Sequence, residues 1–158
     1  MNNYINLSYH LKDDFFNLVQ DKHLMKNKEN GNYRPHYFCF QDSDNPDIYW
    51  AIPQSTQVAK FRQIYNAKVK KYGLCNTIIF GKFSGRDNAF LIQNMFPIIS
   101  KYIDHEHTVN GKPVNVHPKL AKEIVRNAKQ VLILYKKGIK LIFPDIDNIY
   151  SIMEKELA

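Results

Sequence analysis

Little in this chain suggests a covalent staple, a leader or a membrane span. It has two cysteines in 158 residues, Cys39 and Cys75. Each sits in an apolar, strand-like stretch, and two cysteines so far apart make poor material for a disulfide framework. Both are therefore expected to be reduced core residues of a cytoplasmic protein. The opening residues, MNNYINLSYH, carry neither a basic n-region nor an apolar h-region, so no secretory leader is expected. No apolar run approaches membrane-spanning length, and no repeat or low-complexity tail is visible. P-loop, GxGxxG and GxSxG signatures are all missing, as are HExxH and paired-cysteine spacings. Acids are scarce too, at 15 Asp and Glu against 22 Lys and Arg. They are scattered, so any phosphate chemistry would have to run without an acidic Mg²⁺ cage. No metal and no cofactor is expected.

What the chain does have is positive charge and rings. The formal charge is +7 and the pI about 9.3, which makes a polyanion the natural partner, either nucleic acid or an acidic membrane face. Ten Tyr and ten Phe bring the aromatic share to 13%, and bases can stack on such rings. The length suits one domain, residues 1–158, with a modest core.

The stretch Ile48–Lys71 organises the reading. Ile48-Tyr49-Trp50-Ala51-Ile52 is short, apolar and β-prone, a buried strand, and Pro53 is expected to end its hydrogen bonding. Ser55 and Thr56 are of the type that opens helices. Val58, Phe61, Ile64, Tyr65, Ala67 and Val69 then recur at roughly helical spacing. Lys60, Arg62, Lys68, Lys70 and Lys71 take the rest, so the helix Gln57–Tyr72 carries no acid. A strand, a Ser-Thr turn and a basic helix form a ready anion site, because free N–H groups and the positive end of the macrodipole point out of the helix start. A plain N-cap before a solvated basic face fits the same residues.

Around this stretch the pattern reads as hairpins with inserted helices. Tyr4–Leu11 alternates as a strand and Lys12–Gln20 suits a short helix, with Asp13 and Asp14 in its first turn. The polar segment 21–34 reads as a loop holding Lys26, Lys28, Tyr33 and Arg34, an edge suited to RNA. Pro35–Phe40 is a strand pairing with Ile48–Ile52 across the turn Asp42–Asp47. Thr77–Phe83 and Ala89–Ile92 form a hairpin, Asn94–Ile99 continues as strand, and Asn110-Gly111 marks another hairpin within Thr108–Val116. Pro118 opens a helix over Lys119–Lys137, whose Lys119, Lys122 and Arg126 are further RNA-contact candidates. Gly73 and Gly138 are expected to cap the two long helices. Ile139–Phe143 is a short strand or extended chain, and a helix runs from Pro144-Asp145 to the end. The sum is α+β, mostly antiparallel.

His36 begins the strand whose partner ends at Ser55, and antiparallel pairing sets those ends side by side. Its imidazole could then face the Ser55-Thr56 turn as a general acid or base, or be an ordinary structural histidine. Metal-free RNA cleavage uses the substrate's 2′-hydroxyl as nucleophile. It needs a proton acceptor, a proton donor for the departing 5′-oxygen, and cations or N–H donors around the phosphorane. His36, Ser55, Thr56 and Lys60 are of the right types for the catalytic set. The run Asp104-His105-Glu106-His107, with His117 as a distant third ligand, invites a zinc reading, but its spacing matches no established ligand motif and a solvated loop fits the same residues better.

Arg34-Pro35-His36-Tyr37-Phe38, Tyr49–Val58, Ile78-Ile79-Phe80-Gly81, Leu91–Ile98 and Leu141-Ile142-Phe143-Pro144 resemble, in order and spacing, the toxins of type III toxin–antitoxin systems. The likeness is to the ToxN/AbiQ group and is nearest to its CptN branch, over most of the chain from Tyr33 onward. It implies a compact, antiparallel, barrel-like sheet with inserted helices, similar to Kid/MazF toxins. It also implies a metal-independent endoribonuclease that cuts transcripts at A-rich sites. Its inhibitor would be an RNA antitoxin, a repeat pseudoknot that the toxin trims and binds in a closed protein–RNA assembly. Ser55 and Thr56 match the group's hydroxyl pair, and Gln57 beside them is a candidate RNA contact. The ToxN branch has a lysine where this chain has His36, and a lysine two residues beyond its hydroxyl pair where this chain has Val58, the next base being Lys60.

Overall fold

A computed structural model describes residues 4–158; Met1, Asn2 and Asn3, the start of the segment read for a leader, lie outside them. In chain order the elements are β1 (Ser8–Leu11), α1 (Asp13–Val19), β2 (Lys28–Glu29), β3 (Asn32–Tyr33), β4 (His36–Gln41) and β5 (Ile48–Ser55). Then come α2 (Val58–Tyr72), β6 (Ile78–Phe83), β7 (Arg86–Leu91), β8 (Phe96–Ile99), β9 (Ile103–Glu106), β10 (Thr108–Val109), β11 (Lys112–Pro113), α3 (Pro118–Lys136) and α4 (Ile146–Leu157). The fold is α+β. Seven strands form one antiparallel sheet in the order β6-β7-β5-β4-β1-β9, with β8 also on β5. It curls without closing into a barrel: β6 and β9 end the order.

β5 is the spine, and all eight of its residues are buried. Trp50 and Ile52 belong to a core with Ile124, Ala128 and Val131 of α3. Tyr49 and Ala51 belong to another with Phe15 of α1 and Ile149 and Met153 of α4. Both faces of the strand are thus covered, which is why its sequence runs continuously apolar. Pro53 does not end the strand as expected. On one side β5 pairs with β4 as far as Pro53, opposite His36. On the other, Ile48–Ala51 pair with β8 and Gln54-Ser55 with β7. Pro53 falls in the gap between those two partners, where a missing N–H costs no ladder bond.

Helix α2 packs on the β6–β7 hairpin through Phe61, in a small cluster with Ile78, Ala89 and Leu91. Gly73 ends it at φ 83°, its N–H on the Val69 carbonyl, and α3 starts with Pro118 at its first position. The segment expected as a loop contains the β2–β3 hairpin, turned by Asn30 and Gly31 at φ 53° and 82°. β1 is shorter than expected. A 3₁₀ turn over Ile92–Asn94 precedes β8, and residues 139–143 form no strand. Cys39 is buried, and Cys75 is partly buried, packed against the Phe61 cluster. No helix among the described residues is long and apolar enough to cross a membrane.

Candidate functional site

Four elements converge where β5 hands over to α2. Ser55 is the last residue of β5, not the helix cap, and Gln57 flanks α2 without a side-chain cap. Ser55 Oγ accepts from the Gln57 N–H at 3.1 Å, which tightens the turn. The space expected for a bound anion is filled from within the chain by Glu29, on the β2–β3 hairpin. Ser55 Oγ donates to Glu29 Oε2 at 2.7 Å. The Thr56 N–H and Oγ1 donate to Oε1 at 3.3 and 3.1 Å. Arg34 Nη1 donates to Oε2 at 2.9 Å and to the Gln54 carbonyl at 2.9 Å, while its Nε donates to the Lys26 carbonyl at 2.9 Å. Burial works to raise the Glu29 carboxyl. The Ser55 hydroxyl, the Arg34 guanidinium and the Thr56 N–H outweigh it, so the pKa falls below its ordinary value.

Beside this carboxylate opens a cavity of about 460 Å³. Its wall includes Lys26, Lys28, Arg34, Gln57 and Lys60, with Glu29 as its one acid. Five of the residues named from sequence for catalysis or RNA contact therefore share one cavity, and Ser55 and Thr56 adjoin it through Glu29. The Lys60 ammonium lies 5.4 Å from the Phe61 ring centre. Arg34 is buried and clamps Glu29 from within, while its side chain also lines the cavity wall. Tyr33, on the outer side of the hairpin, donates to Asp13 Oδ2 at 3.1 Å. Lys28 Nζ stands 4.8 Å from its ring centre. Lys119, Lys122 and Arg126 are exposed on α3 and do not line the cavity.

His36 is placed where the register argument put its backbone, opposite Pro53, but its ring cannot meet a substrate. It is 0% exposed and packed between Phe16 and Phe96, centroids 6.0 and 5.6 Å away. Nδ1 lies 3.1 Å from the Arg34 carbonyl; a carbonyl only accepts, so Nδ1 carries the hydrogen. Nε2 is buried and has no hydrogen-bond partner among the described residues. Burial, reinforced by the Arg34 charge, pushes the pKa down to about 3. A neutral, sealed imidazole is a structural histidine, and the catalytic expectation for it fails on access. The strand that carries His36 is flanked on both faces, which a local sequence window does not reveal.

The residues of the zinc alternative do not converge on one point. His117 precedes α3 and accepts from the Lys119 N–H at 3.2 Å. His107 Nδ1 instead meets His10 Nε2 at 2.7 Å, and His105 stacks on His10 with centroids 4.6 Å apart. Among the described residues no group of three or more His, Cys, Asp or Glu is placed to hold a metal ion.

Two contributors were not visible as such in the sequence. Glu29 lies in a polar loop, and only the Asn30-Gly31 dipeptide, a type I′ hairpin signal, hinted that it is held on a hairpin. His10 sits alone in β1 and meets its neighbours only through pairing with β9. No protein-family model matches the chain, and no curated protein matches it.

Proposed function

We propose that the protein is a metal-independent endoribonuclease working at the Glu29 cavity. The observation that carries this reading is the grip on Glu29. Two hydroxyls, one backbone N–H and one guanidinium converge on a single anion. Those are the donors that a phosphodiester's non-bridging oxygens require, and that the more highly charged phosphorane rewards further. Lys26, Lys28 and Lys60 add positive charge around the entrance, drawing a polyanion in. One carboxylate among these cations is not a Mg²⁺ cage, so the chemistry that fits is attack by the RNA's own 2′-hydroxyl.

In that reaction the 2′-oxygen bonds to phosphorus and the bond to the 5′-oxygen breaks. The products are a 2′,3′-cyclic phosphate and a 5′-hydroxyl. As the substrate phosphate takes the seat on Ser55, Thr56 and Arg34, Glu29 is released beside it. Freed from the contacts that lower its pKa, the carboxylate becomes a better base and accepts the 2′-hydroxyl proton. The Lys60 ammonium donates to the departing 5′-oxygen. His36 has no part in the transfer.

The biological setting follows from the resemblance: a type III toxin acting in the cytoplasm on cellular mRNA, restrained by a repeat-pseudoknot RNA antitoxin in a closed assembly. One observation favours a second reading, a non-catalytic RNA-binding module: the histidine best suited to proton transfer is sealed. Incubation with RNA in EDTA separates the two. Cleavage by the wild-type protein and its loss in Ser55→Ala support the nuclease. Binding with no scission, or scission that EDTA abolishes, overturns it.

A further inference from the structure

At the other end of α2 lies a second cavity, of about 450 Å³. Its lining includes Lys68 and Tyr72 of the helix, Leu74 just beyond it, and Lys140 and Phe143 from the segment before α4. Among the described residues no acid lines it. Three of these apolar side chains stand in solvent: Tyr72 is 66% exposed, Leu74 61% and Phe143 43%. Lys68 is the unusual group. Its ammonium is half-buried and makes no ion pair among the described residues. It donates to Gln93 Oε1 at 2.6 Å and Thr77 Oγ1 at 3.2 Å. Both acceptors are neutral, and Nζ lies 5.5 Å from the Phe143 ring centre. Two donors are used, so a third remains. The floor is built: the Gln93 N–H donates to the Thr77 carbonyl, and the Phe143 N–H donates to the Gln93 carbonyl.

We propose that this cavity is a nucleotide subsite for single-stranded RNA, taking a base against Tyr72 and Phe143 and its phosphate on Lys68 and Lys140. Exposed rings next to unneutralised ammonium groups match a nucleotide's two halves, a flat apolar face and an anion. A half-buried cation with only neutral partners gains most from an incoming anion, because its desolvation is already incurred. Position supports the same occupant. Lys60 and Gln57 line the first cavity from one end of α2, and Lys68 and Tyr72 line the second from the other. At about 1.5 Å rise per residue, the step from Lys60 to Lys68 spans about 12 Å. An acid-free helix face joins the two, so one RNA strand laid along α2 reaches both. The choice of RNA rests on the nuclease reading; the subsite's composition does not.

The test uses a fluorescein-labelled 2′-O-methyl oligoribonucleotide, which binds but cannot be cut, and a ribodinucleotide too short to span both cavities. Tyr72→Ala and Phe143→Ala should each weaken oligonucleotide binding about tenfold, within the range that loss of base–aromatic stacking produces. Lys68→Met should weaken it and flatten its salt dependence. Dinucleotide turnover should stay at the wild-type rate in Tyr72→Ala, whose exposed ring is outside the first cavity. A protein that cuts nothing but loses oligonucleotide binding in Tyr72→Ala keeps the subsite and defeats the nuclease. The proposal is overturned if the wild-type protein does not bind the oligonucleotide. It is overturned equally if both ring variants bind like wild type, if an abasic oligonucleotide suffers the same losses, or if only an apolar peptide competes for the cavity.

Discussion

Replacing Glu29 by glutamine keeps the side chain's shape and removes its charge. Arg34 and Glu29 are 4% and 12% exposed, so the change strands a buried guanidinium. Breaking such a pair by removing one partner costs about 3–5 kcal/mol when both are fully buried. Glu29's remaining exposure lets water in and places the expectation near the lower bound, about 3 kcal/mol. The amide worsens the fit: whichever way it is turned, its NH₂ faces either the Thr56 N–H or the Arg34 guanidinium, and neither of these can accept, although the Ser55 and Thr56 hydroxyls can rotate to do so. Urea unfolding at pH 7 measures the loss. Inorganic phosphate then tests what the seat is for. With the carboxylate gone, phosphate should occupy it and stabilise Glu29→Gln by about 2.7 kcal/mol at a hundred times its Kd. The wild type, whose own carboxylate competes, should gain less. RNA cleavage should fall by about 100-fold or more, as for loss of a general base. If Glu29→Gln unfolds within about 0.5 kcal/mol of wild type and phosphate stabilises both proteins alike, Glu29 is not seated in an anion site and the reasoning is wrong.

His36 makes the fold sensitive to acid. Its folded pKa of about 3 lies below the ordinary 6.5, so the unfolded chain takes up a proton that the native state refuses. Stability should therefore decline as pH falls from about 6.5 toward 3, a window shared by His10, lowered to about 4. His36→Phe should flatten part of that slope in urea titrations at pH 7 and pH 5 while leaving RNA cleavage within about threefold of wild type, a change too small for a proton-transfer group. Phe61 is the one buried residue of α2. Phe61→Ala should cost about 3–5 kcal/mol in chemical denaturation and loosen the helix that carries Lys60 and Lys68. Alanine at Lys28 or Lys60 should lower the slope of log affinity against log salt for single-stranded RNA by about 0.7 each, whereas alanine at Tyr33 should leave that slope unchanged.

Much of the architecture was legible because it is local. The basic amphipathic helices, the glycines that end α2 and α3, Pro118, the Asn110-Gly111 hairpin and the apolar run of β5 all carry short-range signals. The anion seat was legible in half. Ser55, Thr56, Lys60, Lys26, Lys28 and Arg34 are of types that announce a phosphate site, and they do converge. The other half depends on pairings between distant segments. Glu29 reaches Ser55 and Thr56 across 26 and 27 positions. His36 is sealed by Phe16 and Phe96, which no local window joins to it. His10 meets His107 across 97 positions, a pairing that no spacing rule along the sequence joins. Pro53 shows the same limit: its effect on a strand depends on which neighbours flank it.

The ends that cleavage leaves test the central claim most directly. RNA incubated with the wild-type protein in EDTA should yield fragments with 2′,3′-cyclic phosphate and 5′-hydroxyl termini, and a single 2′-deoxy substitution at the cut position should block the cut. Fragments with 3′-hydroxyl and 5′-phosphate ends, or cleavage that survives the 2′-deoxy substitution, would contradict attack by the RNA's own hydroxyl at the Ser55–Thr56–Arg34 seat.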